Sequence, residues 1–209
     1  GMECYGGLDL AATSDITALV LVFPFEDGTM KVISKMWVSE DMVEQRRGRT
    51  GASYDGFVLG GDLEVTEGNV TDYKKVEADI LEMCEAYKVK GIAYDRWNST
   101  ALVTSLVDKG VPLSAIGQGY ASMSQPTKAV EMLIKSGNLH HNSNPVLRWM
   151  AGNAQAKYDD AFNVKLVKNK SSDKIDGIIA LIMAVAEKMS NDRESEGESY
   201  YEDHGLRMI

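Results

Sequence analysis

A chain of 209 residues and 22.9 kDa has room for one generous domain or two small ones. With 44% hydrophobic and 25% charged residues, only 4 prolines and 2 cysteines, it excludes disordered, collagen-like, proline-rich and disulfide-stapled classes. Its net charge of −9, from 31 acids against 22 bases, excludes sequence-independent coating of nucleic acid but leaves room for a local basic groove.

The first forty residues predict an antiparallel meander. Strands Tyr5–Ala11 and Ile16–Phe23 meet at the Thr13-Ser14-Asp15 turn, and Pro24 to Gly28 turns the chain into Met30–Val38. Residues 39–71 read as a long surface excursion, with Gly48, Gly51, Gly56, Gly60, Gly61 and Gly68 and one short helix near Tyr54–Leu59. The period then changes. Thr71 or Asp72 caps a helix with apolar positions Tyr73, Val76, Ile80, Leu81, Cys84 and Tyr87. Gly91–Asp95 is a short buried strand, Asn98 or Ser99 caps the next helix, and Gly110 ends it. Strand Val111–Ile116 and helix Gln125–Lys135 follow, then a helix opened by Asn144-Pro145. Tyr158–Val167 is a candidate hairpin, Ser172–Met189 the last helix, and 190–209 a loose acidic tail. A meander followed by strand–helix units predicts an α/β fold: one mixed sheet flanked by helices, with parallel strands added by right-handed crossovers. Residues 1–190 form the expected domain and 191–209 the flexible appendage.

Cys4 and Cys84, with no CxxC between them, fit reduced thiols. The longest apolar runs, near Ala18–Phe23 and Ile178–Ala186, fall short of the roughly 18 residues that span a bilayer. The start has neither the basic nor the apolar segment of a signal peptide, and Gly1 reads as an addition ahead of Met2, so a soluble, intracellular protein is expected. Charge is uneven. Residues 191–209 hold six acids and two bases, leaving −5 for 1–190, while Lys165, Lys168, Lys170 and Lys174 face only Asp173 within ten residues. Arg46, Arg47 and Arg49 form a second basic knot.

Three aspartates, two on strands and one on a helix, could converge where an open sheet presents its chemistry, near strand ends where the order reverses. Asp9 lies inside the first strand, where a carboxylate is costly to bury unless paired or bound to a cation. Asp95 ends the Gly91–Tyr94 strand, although it also suits a helix cap. Asp176 stands on the shoulder of the last helix's apolar stripe, and Gly177 beside it points to close backbone approach. Asp173 competes with Asp176, but the helix dipole is enough to explain it. Converging without a cation, the three would repel and raise at least one pKa. With magnesium or manganese they make a hard oxygen site with room for a phosphate.

Gly7-Leu8-Asp9-Leu10-Ala11-Ala12-Thr13-Ser14-Asp15, Thr66-Glu67-Gly68-Asn69-Val70-Thr71-Asp72-Tyr73, Ile92-Ala93-Tyr94-Asp95-Arg96-Trp97, Asn144-Pro145-Val146-Leu147-Arg148-Trp149-Met150 and Lys174-Ile175-Asp176-Gly177-Ile178-Ile179-Ala180-Leu181 occur in that order. Together they resemble the nuclease domain of tailed-phage terminase large subunits over nearly all of residues 5–189. The resemblance implies an RNase H-like fold and metal-dependent cleavage of double-stranded DNA. It gives Asp9, Asp95 and Asp176 the positions of the metal-binding carboxylates, with two Mg2+ or Mn2+ ions. It also implies a small terminase subunit, a portal and a separate ATPase as partners, and the host cytoplasm as location. The amino-terminal ATPase of such subunits carries a phosphate loop, and no GxxxxGK[ST] occurs here, so neither ATP hydrolysis nor translocation is expected of this chain.

The remaining candidates have plainer readings. His140-His141 suits a surface loop, Gly117-Gln118-Gly119 a turn, Trp97 and Trp149 packing, and Ser99 a helix cap. Lys168, Lys170 and Lys174 are either a solvated face or phosphate contacts, and their closeness to Asp176 favours the second. Two other functions compete: an actin-like or sugar-kinase phosphotransferase, and a non-catalytic DNA-gripping module.

Overall fold

The computed structural model describes residues 1–10, 15–47, 54–95, 101–170 and 174–204. The expectations that rest on Thr13, Ser14, Gly48, Arg49, Gly51, Arg96, Trp97, Asn98, Ser99, Asp173 and the last five residues lie outside them. Strands β1 (Glu3–Asp9), β2 (Thr17–Pro24) and β3 (Met30–Ser39) form the expected meander. Helices α1 (Glu40–Arg46) and α2 (Tyr54–Leu59) precede the short strand β4 (Glu64–Thr66). Next come α3 (Tyr73–Ala86), β5 (Lys88–Asp95), α4 (Ala101–Asp108), β6 (Leu113–Ile116), α5 (Tyr120–Lys135) and β7 (Leu139–His140). Helix α6 (Pro145–Asn153), the hairpin β8 (Ala154–Tyr158) and β9 (Val164–Lys168), and α7 (Asp176–His204) complete the chain.

Among the described residues seven strands make one mixed sheet in the order β4-β3-β2-β1-β5-β6, with β7 beside β3. Strands β5 and β6 run parallel to β1, as expected of crossover-linked strands. The β2 sequence shows why this sheet is buried on both faces. Its alternation sends Ala18, Val20 and Val22 to the side covered by α5, α6 and α7, and Leu19, Leu21 and Phe23 to the side covered by α3 and α4.

Two capping expectations hold: Asp72 accepts from the Lys74 N–H at 2.9 Å, and Asn144 from the Leu147 N–H at 2.9 Å with Pro145 in the first turn. Helix α7 differs at both ends. It begins at Asp176 rather than Ser172 because the Lys174 carbonyl accepts from Asn153 Nδ2 at 2.9 Å and the Ile178 N–H turns to Ile175. It continues past Met189 to His204. From Ile178 to Ala186 every residue of α7 is buried, because the sheet covers one side and α5 and α6 cover others.

Candidate active site

Asp9 closes β1, and the Leu8–Tyr94 register sets Asp95 at the adjacent end of β5. Asp176 arrives from the other direction, as the first residue of α7. Two glycines let that helix come close. A Cβ on Gly7 would stand 2.0 Å from the Ala180 carbonyl oxygen, so α7 lies directly on the β1 backbone. A Cβ on Gly177 would meet the Met36, Leu147 and Met150 side chains at 2.6–3.0 Å, and the Gly177 N–H points at Met150 Sδ, 3.1 Å away. The close approach expected at Gly177 is present.

The three carboxylates share one electrostatic environment. Burial pushes the Asp9 carboxyl well above the ordinary range, and Asp176 and Asp95 push it further. Gln118, in the connection after β6, offsets this by donating Nε2 to Asp9 Oδ1 at 3.4 Å. Burial also raises Asp176, to about 6, and Asp15 adds to the rise while Lys168 and Lys174 oppose it. Asp95 is buried as well. Asp176 Oδ2 is shielded from solvent with no hydrogen-bond partner, and so is the hydroxyl of Tyr54, packed edge-on to Trp149 with ring centroids 5.8 Å apart. An orphaned carboxylate oxygen beside two more carboxylates suits a hard divalent cation. Among the described residues, though, no three His, Cys, Asp or Glu side chains stand close enough together to hold an ion as they are placed.

The lysines divide. Lys170 is exposed on the segment after β9. Lys168 is about one third exposed and its ammonium lies 3.1 Å from Asp15 Oδ1. Lys174 departs from the expected phosphate-facing position: it is buried and its ammonium bonds the same Asp15 oxygen. Asp15 itself is pushed up by burial, but the two lysines outweigh this and hold its carboxyl below the usual range. Sequence reasoning missed Gln118 here and left open whether Asp15 assists the site. Gln118 sits in what reads as a plain turn, and nothing local marks Asp15 as a partner of Lys174. Among the plainer readings, Trp149 packs against Tyr54 and Phe57, and His140 is exposed on β7. His141 differs: its Nδ1 is buried without a partner beside an apolar cavity of about 560 Å3 between α5, α6, the hairpin and α7.

The family model described as "Terminase large subunit, endonuclease domain" matches residues 1–192. The chain is 34% identical over 196 residues to the terminase large subunit of Enterobacteria phage HK97, covering 93% of this chain and 39% of that protein. The crystal structure of the HK97 large terminase superposes with a TM-score of 0.82 at 35% identity, over 89% of this chain and 39% of that one. Protein YmfN of Escherichia coli K12 is 32% identical over 221 residues, covering 100% of this chain and 48% of its own length. This chain therefore spans less than half the length of the curated relatives it matches. At 11% identity, the magnesium-bound large terminase nuclease of thermophilic phage G20c shares the fold, with a TM-score of 0.58 over 88% of this chain and 80% of that one.

Proposed function

The chain belongs to the terminase large subunit endonuclease-domain family, and from that premise we propose that it is a metal-dependent endonuclease cutting double-stranded DNA during phage genome packaging. The observation that supports this reading is the buried oxygen of Asp176 that has no hydrogen-bond partner, near enough to Asp9 for the two carboxylates to repel. These three would hold two Mg2+ or Mn2+ ions, in keeping with the bound magnesium of the G20c nuclease. When bound, such ions make water nucleophilic near neutral pH and stabilise charge on the leaving oxygen. The residues do the rest. Asp9, at the end of the central strand, pairs with Ala18 of β2 and follows Leu8, which pairs with Tyr94 of β5, so it presents its carboxylate with little freedom. Asp176 has the positive end of α7 behind it, which favours its ionised form against the cost of burial. Gln118 orients Asp9. Lys168 and Lys170 are assigned to the DNA backbone, where contacts hold the duplex without reading its bases.

Residues 1–190 are taken as the nuclease unit, with 191–209 an acidic appendage. The small terminase subunit, the portal and a separate ATPase are the proposed partners, in the host cytoplasm; no described helix is long and apolar enough to cross a membrane. Family membership sets aside the phosphotransferase reading. A DNA-gripping module without catalysis remains the second reading, favoured by the carboxylates not being gathered into a ligand shell. Nicking of supercoiled plasmid separates the two. Wild type should nick in Mn2+ and not in EDTA, and Asp9→Asn, Asp95→Asn and Asp176→Asn should each lose at least about a hundredfold while staying folded. Undiminished nicking by any folded single variant removes that residue from the site, and no nicking by wild type in Mn2+ favours the gripping module.

A further inference from the structure

The strands of hairpin β8–β9 alternate between two faces. Ala154, Ala156 and Tyr158 of β8, with Val164 and Leu166 of β9, line the apolar cavity on one side of the hairpin. The other face carries Gln155, Lys157, Lys165 and Val167, and there Lys157 stands directly opposite Lys165. Like charges in that register repel and weaken a hairpin. Among the described residues neither ammonium makes an ion pair; Lys165 lies over the Tyr120 ring instead, 5.0 Å from its centroid. The hairpin's own acids, Asp159 and Asp160, stand in its turn, where Asp159 accepts from the Ala161 and Asn163 N–H groups. Tyr120 ties the lysine face to the candidate site. It opens α5 two residues after Gln118, which donates to Asp9.

From this opposed pair and its place we infer that the Lys157–Lys165 face of the hairpin is a phosphate platform that holds the duplex backbone beside the candidate site. Lys157 and Lys165 share the phosphate oxygens, and Tyr120 steadies the Lys165 ammonium. The inference rests on reading duplex DNA as the substrate, but it needs no metal ion and no convergence of the three aspartates. A phosphate between two ammonium groups supplies the negative charge that the fold leaves out, so a repulsion in the free protein becomes an attraction in the complex. The pair lies on an open strand face, where a small anion keeps its water. A duplex instead brings one phosphate charge for about every 1.7 Å of its axis.

The test is fluorescence anisotropy of a labelled duplex titrated with the whole chain in EDTA at graded salt, alongside melting curves. Lys157→Glu places the missing carboxylate opposite Lys165, so the variant should melt no lower than wild type while binding the duplex roughly tenfold more weakly or worse. Lys74→Glu, an exposed position on α3 across the sheet, makes the same change in net charge and should stay within about threefold of wild type. The double variant Lys157→Gln, Lys165→Gln should flatten the slope of log affinity against log salt by about one to two, which keeps the test decisive if Lys157→Glu does not fold. Equal losses by Lys157→Glu and Lys74→Glu would reduce the effect to overall charge and overturn the inference. So would an unchanged affinity in Lys157→Glu, or an unchanged slope in the double variant. If wild type binds no duplex at all, the DNA reading itself is overturned and this inference with it. Hairpin-dependent binding without nicking in Mn2+ would uphold the platform and overturn only the nuclease reading.

Discussion

Replacing Gly7 with alanine tests whether the placement of Asp176 depends on α7 lying directly against β1. The added Cβ would stand 2.0 Å from the Ala180 carbonyl oxygen and 2.6 Å from the Ala184 backbone nitrogen. Both are backbone atoms of one helix, so no side chain can swing aside. Ordinary contact begins at 3.4 Å and real Cβ contacts essentially never fall below 3.0 Å, so α7 must retreat by at least about 1 Å or β1 must buckle. Overpacking of that kind costs roughly 1–3 kcal/mol, and the upper end applies because the buried run Ile178 to Ala186 moves as a unit. Against a total stability of about 5–15 kcal/mol, a loss near 3 kcal/mol is plain in a urea titration.

Function should suffer beyond stability. Asp176 heads α7, and a shift of about 1 Å in a reacting group can cost a hundredfold. Under conditions where Gly7→Ala is fully folded, Mn2+-dependent nicking should still fall by about that factor. Gly91→Ala is the control. There the nearest atom is Glu187 Oε1 at 2.0 Å, the far end of a side chain that can rotate away at the loss of its bond to Ser114, so about 1 kcal/mol is expected. A Gly7→Ala protein within 0.5 kcal/mol of wild type and nicking normally would refute the idea that this contact positions the site.

Other outcomes can be set beside it. Mn2+ at about 100 times its dissociation constant should stabilise the wild type by roughly 2.7 kcal/mol, and Asp9→Asn, which relieves repulsion, should melt no lower than wild type in EDTA yet gain far less from Mn2+. Asp176 holds its proton more tightly folded, to about 6, than unfolded, near 3.8, so its share of the unfolding free energy in EDTA should fall by roughly 2 kcal/mol as pH rises from 4 to 6. Asp176→Asn should lack that share and keep only the fall that Asp9, also raised by burial, contributes, and equal losses in both proteins would refute the assignment; Asp15 and Asp79, held low by their lysines, act mainly below this window. Lys168→Ala with Lys170→Ala should weaken DNA binding alike for all sequences and flatten its salt dependence, and an unchanged slope would return both to the solvated face. Tyr54→Phe removes a buried hydroxyl without a partner, so urea titration in EDTA should find it at least as stable as wild type.

How much of the fold could be read ahead depends on element length. The meander was legible because β1, β2 and β3 are seven to ten residues of β-formers broken by turns. Helices α3 and α6 were legible from Asp72 and from Asn144-Pro145. Helix α1 was read as irregular: its seven residues are too few for a helical period, and Ser39 makes no side-chain cap bond. Strands β4 and β7, of three and two residues, exist only through pairing with β3. Helix α5 starts before its expected Gln125 because Pro126, which suits a first turn, sits inside it, with Thr127 Oγ1 bonding the Met123 carbonyl.

The site divides along a different line, between position and electrostatic company. Asp95 could be found because a strand end is a position that follows from periodicity, and Asp9 because a carboxylate within an apolar strand is costly to bury. The charge beside them could not. Lys174 reads as a surface lysine in a basic run, yet it is buried because Asp15, 159 residues earlier, meets it. Pairing over such a distance leaves no local pattern, so charge counted along the chain misjudges the field at the site. The same holds for the whole molecule. A net charge of −9 argues against gripping DNA, but two of the four acids of α3 are engaged within the fold: Asp79 accepts from Trp37 Nε1, Lys75 and Lys35, and Glu77 from Ser105 and Lys109. Lys170 meanwhile stays exposed beyond β9. What a duplex meets is the local arrangement left after such pairs are made, and near Asp176 two of the three expected lysines are already partly neutralised by Asp15. Any grip on DNA by this chain alone should therefore be weak and only shallowly salt-dependent, because few phosphates are neutralised, with the duplex held mainly by whatever else binds it.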